Sequence, residues 1–208
     1  NPDLQVLNTG RELVERAIRG RLAAEIITEV EALTDTGTLD LSAAATDVGK
    51  TLAEKADDIQ EATGARPNIF CAGRKALTRL KTNNTNIQAF VGRASAGGSE
   101  VGMVSDQAVS AYFREVADCE LVIIDRVAGT AAGAAAFQWD TTAFFGVSGQ
   151  GEMPSCLKTC SPDADLFEIF VDELRAFEGG PGQVYSAKGL VDVVTADVNL
   201  GTYYTLTL

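Results

Sequence analysis

Residues able to do chemistry are sparse in this chain, and their spacing restricts what they could do. Cys156 and Cys160 form a C-x3-C pair in a stretch that also holds Pro154 and Pro162. Two thiolates at that spacing could hold half of a zinc site or act as reactive thiols. The other half is missing nearby: Cys71 and Cys119 sit far apart inside apolar runs, and the sequence has no histidine. A tetrathiolate zinc site normally presents two close pairs, so Cys71 and Cys119 read as small core residues. Lack of histidine also removes Ser-His-Asp and Cys-His catalysis and every His-bearing metal site. Asp57 with Asp58, and Asp172 with Glu173, are adjacent in sequence, so their side chains diverge and need not share a site. Asp125 follows the run Leu121, Val122, Ile123, Ile124 and is placed to line a crevice at a strand's carboxyl end. No catalytic, cofactor-binding or metal-binding residue is assigned, and the expectation is a protein that is not an enzyme. The enzymatic alternative is a small thiol- or acid-dependent α/β enzyme using Cys156, Cys160 or Asp125.

The charges suggest contact rather than catalysis. Arg11, Arg16, Arg19 and Arg21 crowd the first half of an expected helix over residues 9–32, and Glu25, Glu29 and Glu31 follow in its second half. A helix dipole favours the reverse order, acids early and bases late. A pattern that opposes local stability points to a partner outside the helix. Arg74, Lys75 and Arg79, followed by Lys81, form the other concentration of positive charge. Candidate interface residues are therefore Arg11, Arg16, Arg19, Arg21, Glu25, Glu29, Arg74, Lys75 and Arg79.

The elements that must position these residues can be read from periodicity. Thr9 with Glu12 is a capping box, and Leu13, Val14, Ala17, Ile18, Leu22, Ile26, Ile27 and Val30 form the apolar stripe of the long helix. Residues 33–46 lack periodicity and read as loop or hairpin. Val48, Leu52, Ala56 and Ile59 predict a second helix stopped by Gly64. Pro67 leads into a strand at Asn68–Cys71, followed by a short basic helix from Gly73 to Leu80. The Asn-, Gly- and Ser-rich stretch 82–105 contains the alternating, strand-like Ile87, Ala89 and Val91. Gly97, Gly98 and Gly102 lack dinucleotide-loop spacing, and no phosphate-binding loop motif occurs.

Ser105 can cap a helix carrying Ala108, Val109, Tyr112, Phe113 and Val116, and a turn at Ala117 and Asp118 then leads into Glu120–Ile124. That apolar run reads as a central strand covered on both sides. Phe137, Trp139, Thr141, Ala143 and Phe145 alternate as one further strand, with Trp139 in the core. Residues 166–177 fit either a helix or a strand, and the strand is preferred. The turn over 178–182 signals a hairpin into the alternating run 184–194, and residues 201–208 alternate as a closing strand.

With 46% hydrophobic and 22% charged residues, 208 positions suffice for a globular fold with a sizeable core. The net charge of −12 repels phosphate backbones, which argues against nucleic-acid binding by the whole surface. No run of 18 apolar residues and no basic-then-apolar leader occurs, so neither a membrane span nor a secretory signal is expected. The chain starts at Asn1 without Met, as a processed or partial N-terminus would. Four scattered cysteines are too few for a disulfide scaffold and read as intracellular thiols.

The order of these elements resembles the major capsid protein of tailed bacteriophages, the Hong Kong ninety-seven type, whose fold encapsulin shells share. The residues carrying the resemblance are Ala62, Thr63, Gly64, Ala65, Arg66, Pro67, Asn68 and Ile69, then Leu77 and Leu80, then the helix and strand from Tyr112 to Ile124. Phe137 to Trp139 follow, and Gly179, Gly180 and Gly182 precede Asp192, Val193, Val194 and the closing strand. The resemblance implies an α+β capsid fold with a long spine helix, an axial α/β domain and a peripheral β-rich region. Residues 1–47 would form the peripheral domain with the spine helix (9–32) and a loop, 48–190 the axial domain, and 191–208 a return toward the periphery. It implies a structural virion protein that self-assembles through hexamers and pentamers into an icosahedral shell around double-stranded DNA, without sequence-specific binding.

Such a chain would be assembled in the host cytoplasm, reside in the virion capsid, and touch identical subunits and minor capsid or decoration proteins. No cofactor and no membrane are implied. An encapsulin-type compartment enclosing cargo protein is the alternative. Family members carry an N-terminal arm and an extended loop ahead of the spine helix, whereas eight residues precede it here. No cross-subunit clasp, covalent crosslink or catalytic residue is therefore carried over.

Overall fold

A computed structural model describes residues 23–94, 104–125, 127–129, 135–137, 139–149, 154–160, 168–174, 182–188 and 192–208. The described part of the first helix, α1, covers residues 23–31, and residues 9–22 of the expected spine lie outside the described residues. The chain continues through β1 (Asp35–Asp40), α2 (Val48–Thr63), β2 (Ile69–Gly73), α3 (Arg74–Asn83), α4 (Thr85–Ala94) and α5 (Asp106–Val116). Then follow β3 (Glu120–Ile124), β4 (Val127–Gly129), β5 (Ala135–Phe137), β6 (Thr142–Gly146) and β7 (Leu157–Cys160). β8 (Glu168–Leu174), β9 (Gly182–Lys188), β10 (Asp192–Thr195), a single 3-10 turn at Val198–Leu200 and β11 (Gly201–Thr207) complete it. The class is α+β.

Two compact units divide the chain, one of Asn1–Ile26 with Thr159–Val194 and one of Ile27–Lys158 with Thr195–Leu208. In the first, β8 and β9 pair antiparallel from Glu168 opposite Lys188 to Leu174 opposite Gly182, as the strand reading and the hairpin signal predict. The second is built on a mixed five-stranded sheet in the order β1-β11-β6-β2-β3. β11 is antiparallel to β6 and parallel to β1, while β2 is antiparallel to β6 and parallel to β3. β4 pairs with β5, and β7 with β10.

Alternation along the strands sends Phe70, Ala72, Ala143, Phe145, Tyr204 and Leu206 to one face, where they meet the apolar stripes of the helices. α2 contributes Val48, Leu52, Ala56 and Ile59, α3 contributes Ala76, Leu77 and Leu80, and α5 contributes Val109, Tyr112 and Phe113. Phe70 stacks on Phe113 at 5.4 Å between ring centroids and meets Phe145 edge-on at 6.4 Å. On the other face Phe144 and Cys156 pack against Gly201, where an added Cβ would lie 2.6 Å from the Cys156 Sγ. Glu31, the last residue of α1, accepts a hydrogen bond from the Thr142 hydroxyl at 3.0 Å, which ties that helix end to β6.

Four expectations are corrected. Residues 33–46 hold a strand, β1, because β11 supplies its hydrogen-bonding partner despite a sequence of turn-forming residues. Gly37, at φ 116°, provides the irregular step where the register shifts between Asp35 and Thr38. Ile87 and Val91 lie on a helix, α4, rather than a strand. The buried Asn84 side chain accepts from the backbone N–H of Asn86 and Ile87, both at 3.1 Å, and starts that helix.

β3 is an edge strand, not a central one, and its aliphatic residues are half-buried. Among the strands of this sheet, β6 is buried at every position. Finally, the alternating run 137–145 is broken by a turn at Trp139, which is buried in the core as expected.

That turn brings the Trp139 carbonyl against the backbone of Gly73, so a Cβ at Gly73 would sit 1.7 Å from the Trp139 oxygen. Gly73→Ala should therefore lower stability by about 1–3 kcal/mol through overpacking against main chain. Gly92→Ala in α4, where a Cβ meets nothing within 4 Å, should leave stability unchanged or raise it by about 0.5–1 kcal/mol. Urea-unfolding midpoints of the two variants check both expectations.

Candidate interaction surface

The exposed surface of the second unit is set by how α2, α3 and α5 are fixed to the sheet. Asp47 caps α2 by accepting from the Lys50 N–H at 3.1 Å, and the same oxygen accepts the Tyr112 hydroxyl of α5 at 2.8 Å. Close approach is allowed by Gly49, where an added Cβ would lie 2.6 Å from the Tyr112 oxygen. Burial, then the neighbouring Asp47, pushes the Tyr112 ionisation upward, so the hydroxyl stays a donor. Gly64, at φ 76°, ends α2, its N–H donating to the Gln60 carbonyl at 2.8 Å.

With its apolar stripe buried, α2 turns Lys50, Glu54, Asp57, Asp58 and Glu61 outward. Lys50 pairs with Glu54 at 3.7 Å, Lys55 with Asp58 at 3.9 Å, and Arg66 with Asp57 at 2.7 Å. Glu61 has no ion pair among the described residues. On α3 the exposed stripe is Arg74, Lys75, Thr78, Arg79 and Thr82. Both threonine hydroxyls bond back to carbonyls of the same helix. Arg74 lies 3.9 Å from Asp106, Lys75 pairs with Asp140, and Lys81 meets Asp106 at 2.5 Å. The hydrogen bond from Lys81 holds the Asp106 carboxyl below the usual carboxylate range. Arg79 has no ion pair among the described residues. Exposed pairs of this kind contribute little stability, about 0–1 kcal/mol each.

The expected contact residues are thus partly brought together. Arg74, Lys75 and Arg79 share the exposed face of α3, whereas Glu25 and Glu29 sit half-buried on α1. Arg11, Arg16, Arg19 and Arg21 lie outside the described residues. Among the acids of α2, adjacency in sequence singles out only Asp57 with Asp58, as a pair that need not share a site. Glu54, Asp57, Asp58 and Glu61 are related by steps of three, four and seven residues, and that spacing is the signal that places them on one stripe.

The three cysteines whose side chains are described lie in surroundings that do not favour thiol chemistry. Cys71, Cys119 and Cys156 are buried and reduced, and burial pushes each thiol up to about 12. Such a thiol is a poor nucleophile and a poor metal ligand at neutral pH. The Cys160 side chain lies outside the described residues. Asp125 is exposed at the carboxyl end of the edge strand β3. No group of three or more His, Cys, Asp or Glu residues that could hold a metal occurs among the described residues. No helix among them is long and apolar enough to cross a membrane.

A scan against protein-family models finds no match, and neither does a search of curated proteins. Among solved structures, the chain is similar to a phage-related protein of Bordetella bronchiseptica RB50, with a TM-score of 0.62 at 16% sequence identity. The match covers 85% of this chain and 57% of that one, so the chain spans little more than half of that protein's length. The two share a fold.

Two expectations follow from the geometry. Asp47→Ala removes both the α2 cap and the acceptor of the buried Tyr112 hydroxyl, and should cost about 1–2 kcal/mol in urea unfolding. The buried thiols should resist iodoacetamide at about pH 8 in the native protein and react after denaturation, as read by peptide mass spectrometry. Because their folded ionisation lies near 12 and the unfolded one near 9.0, their contribution to stability is complete below pH 9.0 and is lost as pH rises toward 12.

Proposed function

We propose that this chain is a self-assembling shell subunit of the major-capsid type, forming the wall of a bacteriophage particle around packaged double-stranded DNA. The observation that carries the reading is the fold it shares with a phage-related protein, and the sequence resemblance to tailed-phage capsid proteins supports it. In this reading the protein is not an enzyme. Its function lies in contacts between identical copies, arranged as hexamers and pentamers, with minor capsid or decoration proteins as further partners. A rigid sheet with a helical layer suits such a tile, because repeated edges must hold one geometry to close a shell. The net charge of −12 suits a wall that encloses DNA without gripping it.

The test is assembly. Purified protein, extended at its N-terminus where the source sequence continues, should elute as oligomers or particles in size-exclusion chromatography with light scattering. Negative-stain micrographs should show rings or closed shells. A clean monomer at high concentration overturns the proposal, and shells filled with protein instead of DNA after expression would assign an encapsulin-type compartment.

A further inference from the structure

Two exposed helices of the second unit carry charges at the end that helix dipoles disfavour, acids late in α2 and bases early in α3, although Asp47 caps the start of α2 and Lys81 lies in the last turn of α3. α2 has no acid in its first turn and no base in its last, and its acids Asp57, Asp58 and Glu61 gather toward the carboxyl end. α3 opens on Arg74 and Lys75 with no acid in its first turn and no side-chain cap on Gly73. Each misplacement weakens an exposed helix end. Neighbours within the chain compensate in part, Arg66 for Asp57, Lys55 for Asp58, Asp106 for Arg74 and Asp140 for Lys75. One acid and one base are left over: Glu61 on α2 and Arg79 on α3, both exposed and both without an ion pair among the described residues.

α5 packs against both helices. Its Tyr112 reaches the start of α2, and its Asp106 meets Lys81 and Arg74 of α3. One rigid body therefore presents two unlike and complementary patches, the requirement for a head-to-tail contact that can close a ring.

We infer that these patches meet between neighbouring copies, the cations of α3 in one copy against the acids of α2 in the next, with Arg79 opposite Glu61. The inference rests on the assembly reading above and names its contact. Docking the basic start of α3 on the acidic end of α2 relieves both dipole conflicts at once. It also places opposite signs together, which fixes orientation and register more than it adds affinity.

The experiment uses full-length protein, wild type, Arg79→Glu, Glu61→Arg and the double variant, each checked by circular dichroism for an unchanged fold. Either single variant should raise the concentration for half-assembly about tenfold or more, because one weak pair turns repulsive at every contact of the ring. The double variant should recover assembly. An equimolar mixture of the two single variants should recover formation of even-membered rings such as hexamers, since alternating copies restore opposite charges at every contact there. High salt should weaken wild-type assembly and lessen the effect of each single variant.

Wild-type assembly with single variants that assemble equally well overturns this contact while leaving the shell reading intact. So does a double variant or mixture no better than the single variants. Loss of DNA binding by Arg79→Glu with assembly unaffected would assign α3 to nucleic acid and overturn the contact. A monomeric wild type overturns both proposals.

Discussion

Insertion of β11 between β1 and β6 is the constraint on which the second unit depends. Tyr203 pairs with both Asp35 and Phe144, so one strand at the end of the chain fixes the segment after α1 and the buried strand of the sheet together. Its alternation sends Tyr204 and Leu206 into the core shared with α2. The Thr202 hydroxyl donates to the Thr34 carbonyl at 2.6 Å across nearly the whole sequence. Without that strand, β1 would have no partner in the sheet and β6 would lose one of its two. Contacts so distant in sequence cost loop-closure entropy before they stabilise anything, so they form more slowly than local ones.

Given that sheet, the helices have little freedom. Phe70, Phe113 and Phe145 interlock between layers, and the Tyr112 hydroxyl bridges α5 to the cap of α2 through Asp47. At Gly73 the Trp139 main chain approaches too closely for any Cβ, and at Gly49, Gly146 and Gly201 a Cβ would force its neighbours to shift. Rigidity of this kind matters for a protein whose proposed work is repeated contact, since individually weak charge pairs select a geometry only when their scaffold does not flex. The buried thiols fit the same view, filling space in the packed interior with their protons held on.

Much of the fold was legible from the residues alone. The stripe Val48, Leu52, Ala56, Ile59 with Gly64 behind it defined α2 and its stop, and Ser105 defined the start of α5 by accepting from the Ala108 N–H. Alternation in residues 201–208 defined β11, and the bulk of Trp139 placed it in the core. In these cases the signal is local: a period of the backbone, a cap or an apolar volume, each contained within about one or two turns or a single strand.

What the sequence determined by itself was the α+β class, most of the element positions, the absence of histidine chemistry and the basic cluster that became the exposed face of α3. Tertiary structure alone decided that Asp35–Asp40 is a strand, because its partner lies at the other end of the chain. It also decided that Glu120–Ile124 is an edge although its residues are aliphatic, because hydrophobicity reports burial and not position in a sheet. The grouping of Glu54, Asp57, Asp58 and Glu61 against solvent, with Glu61 left unpaired among the described residues, likewise emerged only once α2 had buried its other side. Which charges find a partner is a property of packed neighbours, and the order of residues along a chain does not encode it.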